Sequence, residues 1–431
     1  MTATPTATPT AASLRSWPAD GPRVAVLGAG PVGLDAALAM LDAGFTTTVY
    51  EAGGRVGAAV RAWGHVRMFT PWPMAISHRM RRRLDAAGVR APEDPDRAPT
   101  GAEFVDRVLD PLAALPELLD VVSTGVRVLA VGRHGRLKHD AIGNTPRRAA
   151  TPLRLLLSDG HREWSAQAEV VLVLDCTGSY GRANPLGDGG LPAPGETGLG
   201  DRIVRHLPDL GPGSPERARF AGRTTRTVWA VRDPHPDWGA IPNDTLPERQ
   251  ALVAAAEAML AGRVDGGQVR LGVTVDALHP ETHPETLHET DRAETDRAGG
   301  ARDGVAVSLR HGNGHLERVR ADEVLGLTGY LGDTSLYRAL QVHECYATAA
   351  PMNLAASLLA AAHHGDGPVD CLTQPAQGID ALRCPEPDFF ILGVKSYGHT
   401  SSFLLRSGYA QVDQVARAYT AERGHLGGAG T

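Results

Sequence analysis

The stretch that most limits what this chain can become is RVAVLGAGPVG, residues 23 to 33. An apolar run leads into Gly28, Gly30 and Gly33 in the spacing G-x-G-x-x-G, followed by VGLDAALAMLDAG with helical periodicity stopped at Gly44 and the strand-like TTTVYE. Run, glycine turn, helix and second run form a βαβ unit. Such a turn places backbone N–H groups and the positive end of the helix against a pyrophosphate, and a Cβ at the second glycine would block that approach. Glu51 ends the second run 23 positions after Gly28, close to the spacing at which a carboxylate accepts hydrogen bonds from an adenosine ribose. All five elements agree on a dinucleotide site in an α/β fold.

Composition narrows the class. With 431 residues the chain can build two or three domains with sizeable cores. Hydrophobic content of 42%, 21% charged residues and the lack of a long unbroken apolar run exclude an integral membrane protein. Lys plus Arg (43) against Asp plus Glu (49) leaves −6, without the basic excess that neutralises phosphates, so no nucleic-acid partner is expected. Cys176, Cys345, Cys371 and Cys384 form no C-x-x-C pair, which argues against a disulfide framework, a zinc ribbon or a redox dithiol and fits a reducing cytoplasm. No G-x-S-x-G elbow supports hydrolase chemistry.

Residues 1–20, a Thr/Ala/Pro tract, read as a disordered lead-in, and 425–431 as a tail. Thr100 and Glu103 have capping-box spacing ahead of FVDRVLDPLAAL. Strands are expected at Val126–Val131, Leu153–Ser158, Val170–Leu174, Val269–Val275, Val305–Leu309, Val324–Leu327 and Phe389–Leu392. Helices are expected at Met352–Ala362 and from about Phe403 to Thr420. The polar near-repeat HPETHPETLHETDRAETDRA, within residues 279–300, reads as a solvated insertion between strands.

After its first acid the chain reads EAGGRVGAAVRAWGHVRMFTPW, and later DCTGSYG, LTGY, PEPDFFILGVKSYG and FLLRSGYAQV. In these motifs it resembles the two-dinucleotide-binding-domain flavoproteins, the superfamily of flavin-containing monooxygenases and thioredoxin-reductase-like enzymes. Within that group the pattern is similar to bacterial FAD-dependent monooxygenase-like oxidoreductases, over nearly all of the chain after Asp20. The resemblance implies a Rossmann-type FAD/NAD(P)-binding fold, FAD as cofactor and a setting in bacterial secondary metabolism. It implies that the first glycine motif, with Glu51 and Ala52, holds the ADP part of FAD, that Arg55 supports the pyrophosphate, and that Val126, Thr177 and Gly178 lie near the cofactor. Gly393, Ser396 and Phe403 would belong to a strand-to-helix crossing that aims a helix N-terminus at the flavin, with Ser401 or Ser402 as its cap. Members commonly carry an Asp after this glycine; here Val394-Lys395-Ser396 follows Gly393.

The superfamily's second glycine turn, which holds the NADPH phosphates, is missing. The chain passes from Gly222-Arg223 almost directly to the strand-like Thr227–Arg232, leaving out about 25 residues of an ordinary βαβ unit of about 30. Gly211-Pro212-Gly213 reads as a loop, neither after a strand nor before a helix. Expected organisation is therefore one FAD domain in two parts, 21–200 and 326–424, around a truncated NAD(P)H-like domain, 201–325. Little or no conventional NAD(P)H use follows, because a hydride donor needs an anchored pyrophosphate. Arg226 and Arg232 read as a 2′-phosphate contact or as solvated surface.

For the chemistry, His65, Arg67 and Trp72 pass beside the flavin ring by resemblance, as proton carrier, carboxylate holder and pocket wall; a packed loop is the competing reading. Lys395, Tyr397 and His399 are within reach of ring or substrate, or support the cofactor. MRRRL, from Met80, reads as the solvated face of a helix. No metal site is expected: Cys345, Cys371 and Cys384 match no compact soft-ion motif, and His279, His283 and His288 sit in the insertion. The leading functional reading is an oxidase or dehydrogenase acting on a small amine, hydrazine-type or thiol substrate by hydride transfer to flavin N5, with O₂ or another acceptor. Next come an N- or S-hydroxylase using a C4a-hydroperoxyflavin and a non-catalytic FAD-bound protein. A homodimer is compatible with each.

Overall fold

The computed structural model describes residues 23–143, 145–166, 170–212, 214–218, 225–281, 304–363, 370–372, 374 and 376–427. The lead-in, the Gly222-Arg223 segment, the insertion past Glu281 and the tail beyond Gly427 lie outside the described residues. Two compact units form, one from the chain up to Arg182 and from Leu331 onward, the other from Ala183–Tyr330. The sequence reading puts these junctions after 200 and 325.

In the first unit, β1 (Arg23–Leu27), β2 (Thr46–Glu51) and β3 (Val122–Thr124) are followed by β4 (Arg127–Arg133), β5 (Leu153–Ser158), β6 (Glu163–Ser165) and β7 (Leu172–Asp175). The second unit holds β8 (Ile203–Val204), β9 (Thr227–Val231), β10 (Gly267–Leu271), β11 (Val273–Glu281), β12 (Gly304–His311), β13 (Leu316–Ala321) and β14 (Val324–Leu325), and β15 (Phe389–Ile391) returns to the first. The main sheet is parallel, in the order β15-β7-β1-β2-β3. Period-two alternation gives each face its own core. Val24, Val26, Leu172, Leu174 and Phe390 face the helices, whereas Ala25, Leu27, Val173, Phe389 and Ile391 face the antiparallel layer β4-β5-β6.

Helix α1 (Pro31–Asp42) is buried from Val32 to Met40, as an all-round apolar helix must be. Its one interior charge, Asp35, is fully buried and held by the Ser77 hydroxyl at 2.5 Å and by Arg79 at 2.9 Å. Arg79 opens α2 (His78–Ala86) and also pairs with Asp413 at 2.7 Å, on α5 (Leu405–Gly427). Burial outweighs the arginine at Asp35 and raises its carboxyl above the ordinary value. Within α2, Met80 and Leu84 are buried as the periodicity predicts, but the arginines are paired: Arg83 with Asp42 and Glu117, Arg81 with Glu93.

In the second unit, β11-β12-β13 form an antiparallel meander and β8 pairs parallel with β14. β9 and β10 pair parallel across α3 (Pro247–Leu260). The single strand expected over Val269–Val275 is two, because Gly272 at φ +64 turns the chain between β10 and β11. After the second unit the chain forms α4 (Met352–His363).

Candidate functional site

Parallel register aligns Leu27 with Asp175 and Asp175 with Ile391, so the carboxyl ends of β1, β7 and β15 lie side by side. Successive strands leave β1 on both sides, which makes this edge the crevice where open α/β sheets bind ligands.

The three glycines after β1 are needed for different reasons. Gly28 has φ +93, and a Cβ there would lie 2.8 Å from the Cys176 carbonyl oxygen. A Cβ at Gly33 would sit 1.9 Å from the Gly28 oxygen, so α1 packs directly on the turn. At Gly30 a Cβ meets nothing within 4 Å. Gly30 is also the N-cap of α1: it has no side chain to cap the helix, Pro31 follows, and the first turn carries no acid. Open space above uncapped backbone donors suits a diphosphate.

Glu51 accepts the Ala29 N–H at 2.7 Å through one carboxylate oxygen and the Gly53 N–H at 2.7 Å through the other. Each oxygen keeps a second lone pair, which leaves capacity for a ribose diol. Val126 donates its N–H to the Glu51 carbonyl at 2.9 Å and so lies beside the acid, with Ala52 exposed on the same loop. Arg55, 69% exposed, pairs with Asp110 at 3.1 Å. These residues fit the ADP half of FAD, which when bound would supply a two-electron acceptor.

The C-terminal crossing is locked onto the same edge. Gly393, at φ +74, donates its N–H to Gln411 Oε1 at 2.8 Å; the Gln411 amide donates to Ser396 Oγ at 2.9 Å, and Ser396 donates to the Gly393 carbonyl at 2.7 Å. Ser396 thus holds its own loop. A Cβ at Gly408 would come within 2.6 Å of Val32, so α5 packs against the first turn of α1.

Lys395, expected at the ring or substrate, is 4% exposed and committed elsewhere. Its ammonium pairs with Asp175 at 2.6 Å, contacts Thr177 Oγ1 at 3.2 Å and lies 5.1 Å from the Tyr337 ring centroid. Thr177 donates both its N–H (3.1 Å) and its hydroxyl (2.7 Å) to Asp175, and Gly178 follows at φ +71. Gly332 makes the room, since a Cβ there would lie 2.3 Å from the Lys395 stem. The ammonium supports the Thr177-Gly178 loop from behind.

Other expectations shift for similar reasons. Trp72 is 1% exposed, packed against Phe104 with Arg107 over its ring, so it serves the core and walls no open pocket. Tyr397 is buried edge-on against Phe403 at 5.3 Å, and burial pushes its phenol above the usual value, which makes it a poor proton donor at neutral pH. Ser401 and Ser402 do not cap α5, which starts at Leu405; Ser402 Oγ is buried with no hydrogen-bond partner among the described residues. His65 and Arg67 are exposed, and Arg67 donates to the Ala98 carbonyl at 2.6 Å. His399 is also exposed. Asp175, Asp35 and Gln411 went unread in the sequence. For the two acids the signal was a lone charge inside an apolar run, which must find a buried partner.

Among the described residues no group of His, Cys, Asp and Glu could hold a metal ion. Cys176 is a buried thiol, and Cys384 is partly buried, its thiol pushed up to about 12 by desolvation.

No protein-family model and no curated protein matches the sequence. Solved structures match in fold. Bacillithiol disulfide reductase Bdr from Bacillus cereus aligns at TM-score 0.57 and 15% identity, over 93% of this chain and 99% of that one. Ornithine N-hydroxylase KtzI from Kutzneria sp. 744, in a structure with reduced FAD, NADP⁺ and L-ornithine, aligns at 0.52 and 14%, over 93% and 99%. Flavin-containing monooxygenase from Stenotrophomonas maltophilia aligns at 0.50 and 16%, over 93% and 99%. The chain therefore has the fold of the two-dinucleotide-binding-domain flavoproteins.

Proposed function

We propose that the chain is an FAD-dependent oxidoreductase that oxidises a small amine, hydrazine-type or thiol compound and makes little or no use of NAD(P)H. The observation that carries the flavin reading is the turn at Gly28, Gly30 and Gly33, open only where a diphosphate must approach. Held by the turn at Gly28, Gly30 and Gly33 and by Glu51, FAD would supply a two-electron acceptor for the substrate, with O₂ or another acceptor as the final oxidant. Nothing in the chemistry requires a membrane, and no helix among the described residues is long and apolar enough to cross one; a cytoplasmic enzyme fits.

Two loops of the second unit support the view on NAD(P)H. Between β9 and α3 the connection Arg232–Leu246 carries a single glycine, Gly239, and no G-x-G. The segment at Gly211 does precede a one-turn helix, Pro215–Ala218, contrary to the loop expectation. Two of its backbone donors, those of Asp209 and Gly211, are already used by its own acids. Gly211 N–H donates to Asp209 Oδ1 at 2.8 Å, and Glu216 accepts the Asp209 N–H and contacts His206 at 2.8 Å. A carboxylate in that position repels a phosphate.

The test is anaerobic. Holoprotein is mixed separately with NADPH, NADH and a panel of amines, hydrazines and thiols while the flavin absorbance is followed. Bleaching by a substrate alone is expected; rapid bleaching by micromolar NADPH would overturn the proposal. It would favour an N- or S-hydroxylase instead, the reading to which the likeness to the ornithine N-hydroxylase leads.

A further inference from the structure

Before β15 begins, the segment Arg383-Cys384-Pro385 forms one wall of an open cavity of about 320 Å³. Met352 and Asn353, which open α4, and His343 line it as well. Pro385 precedes the amino end of β15, whereas Gly393 follows its carboxyl end, so this cavity is separate from the glycine turn.

Three polar groups here have no protein hydrogen-bond partner among the described residues: Arg383 Nε, which is buried, and the His343 ring and Asn353 Oδ1, which belong to exposed residues. The Asn353 amide donates to the carbonyls of Arg383 (2.9 Å) and Asp380 (3.3 Å), which fixes its orientation and leaves Oδ1 as a spare acceptor. The His343 ring has no bond, although its carbonyl accepts the Met352 N–H at 2.9 Å. Arg383 Nε is buried without an acceptor, its nearest carboxylate, Asp380, being 4.0 Å away and 95% exposed.

Apart from the exposed Asp380 carboxylate, the charge nearest the cavity is positive. Behind Pro385 lies Glu386, fully buried, with two buried guanidinium groups on its one carboxylate: Arg133 at 2.9 Å and Arg148 at 2.7 Å. Two cations and one anion leave a net positive charge in the low-dielectric interior. Gln341 ties this cluster to the cavity wall, donating its N–H to Glu386 at 2.8 Å and accepting the Gly143 N–H at 3.0 Å. The first turn of α4 adds no acid to offset its positive end. Cys384 is a wall only, its thiol donating to the carbonyls of Glu386 and Phe389.

We propose that this cavity is a second small-molecule site, for a carboxylate that bears a neighbouring hydroxyl or ammonium, such as a 2-hydroxy or 2-amino acid. Arg383 and His343 take the carboxylate. Asn353 Oδ1 accepts from the neighbouring donor, and Met352 and Pro385 cover a short carbon chain.

Saturation-transfer difference NMR on the full-length holoprotein tests this with L-lactate, L-alanine and propionate at constant ionic strength. Lactate or alanine should give a signal, and propionate, lacking the second donor, one about fivefold weaker. Both Arg383→Gln and His343→Phe should abolish it, with flavin absorbance unchanged; the histidine variant removes one carboxylate donor while leaving the arginine in place. Absence of signal from every probe, propionate equal to lactate, or an undiminished signal in Arg383→Gln would each overturn the assignment. The NMR outcomes do not depend on whether the flavin reading holds.

Discussion

The glycines at 28, 30 and 33 look alike in the sequence, yet a methyl group has a different consequence at each. Gly33→Ala forces a Cβ onto the Gly28 oxygen, and overpacking of this kind costs about 1–3 kcal/mol, read as a fall in urea midpoint. Gly30→Ala meets no protein atom, so stability of the apoprotein should be unchanged while FAD affinity falls at least about tenfold, the equivalent of one diphosphate hydrogen bond. Equal loss of stability in both variants would refute the division. Lys395→Met leaves Asp175 buried and unpaired and should cost about 3–5 kcal/mol in chemical denaturation, most of it recovered in the double variant with Asp175→Asn. Motif spacing made the cradle legible, because a phosphate turn is a local device. Lys395 and Trp72 were not legible as buried groups: one depends on Asp175 and Gly332, the other on Phe104, and no spacing rule reports such distant partners.

Among elements, the helix at Gly101 shows how far local signals reach. Thr100 Oγ1 accepts the Glu103 N–H at 3.2 Å and Glu103 accepts the Thr100 N–H at 2.9 Å, the reciprocal cap that the sequence predicts. Burial acts to raise the Glu103 carboxyl, but the Thr100 N–H and Arg97 outweigh it and hold the group below 4.5. A lowered folded value means that this stabilisation is present above about pH 4.5 and is lost as the pH falls through the folded value. Thr100→Ala should cost about 1 kcal/mol at neutral pH, and Glu103→Gln should flatten the acid limb of the stability curve measured by urea denaturation between neutral pH and pH 3. A limb as steep as the wild type's would show that the carboxylate contributes nothing. Where elements abut, local signals fail: β10 and β11 merged in the sequence because both are apolar and only Gly272 separates them. The clamp of Asp35, Ser77, Arg79 and Asp413 joins three helices far apart in the chain, and no local spacing in the sequence pairs these residues.

For the whole molecule, β15 decides whether the site exists. It forms the outer strand next to β7, and its loop carries Gly393 to the edge that the first glycine turn occupies. A chain stopped after Arg383 would leave β7 as an unpaired apolar edge and would also lack α5, which packs on α1. Such a chain should accumulate as insoluble, colourless protein; a soluble yellow product would show that the flavin half folds without its C-terminal part.

This discontinuity also sets an order of events during synthesis. On the ribosome β7 emerges with the whole second unit still to be translated before its neighbour β15 arrives. The nascent sheet must wait with one apolar flank exposed. Capture of the proposed FAD is then a post-translational step. The yield of yellow protein in cells should depend on how long that waiting intermediate survives, and slowing translation between the two strands would lower it without changing a single contact of the finished site.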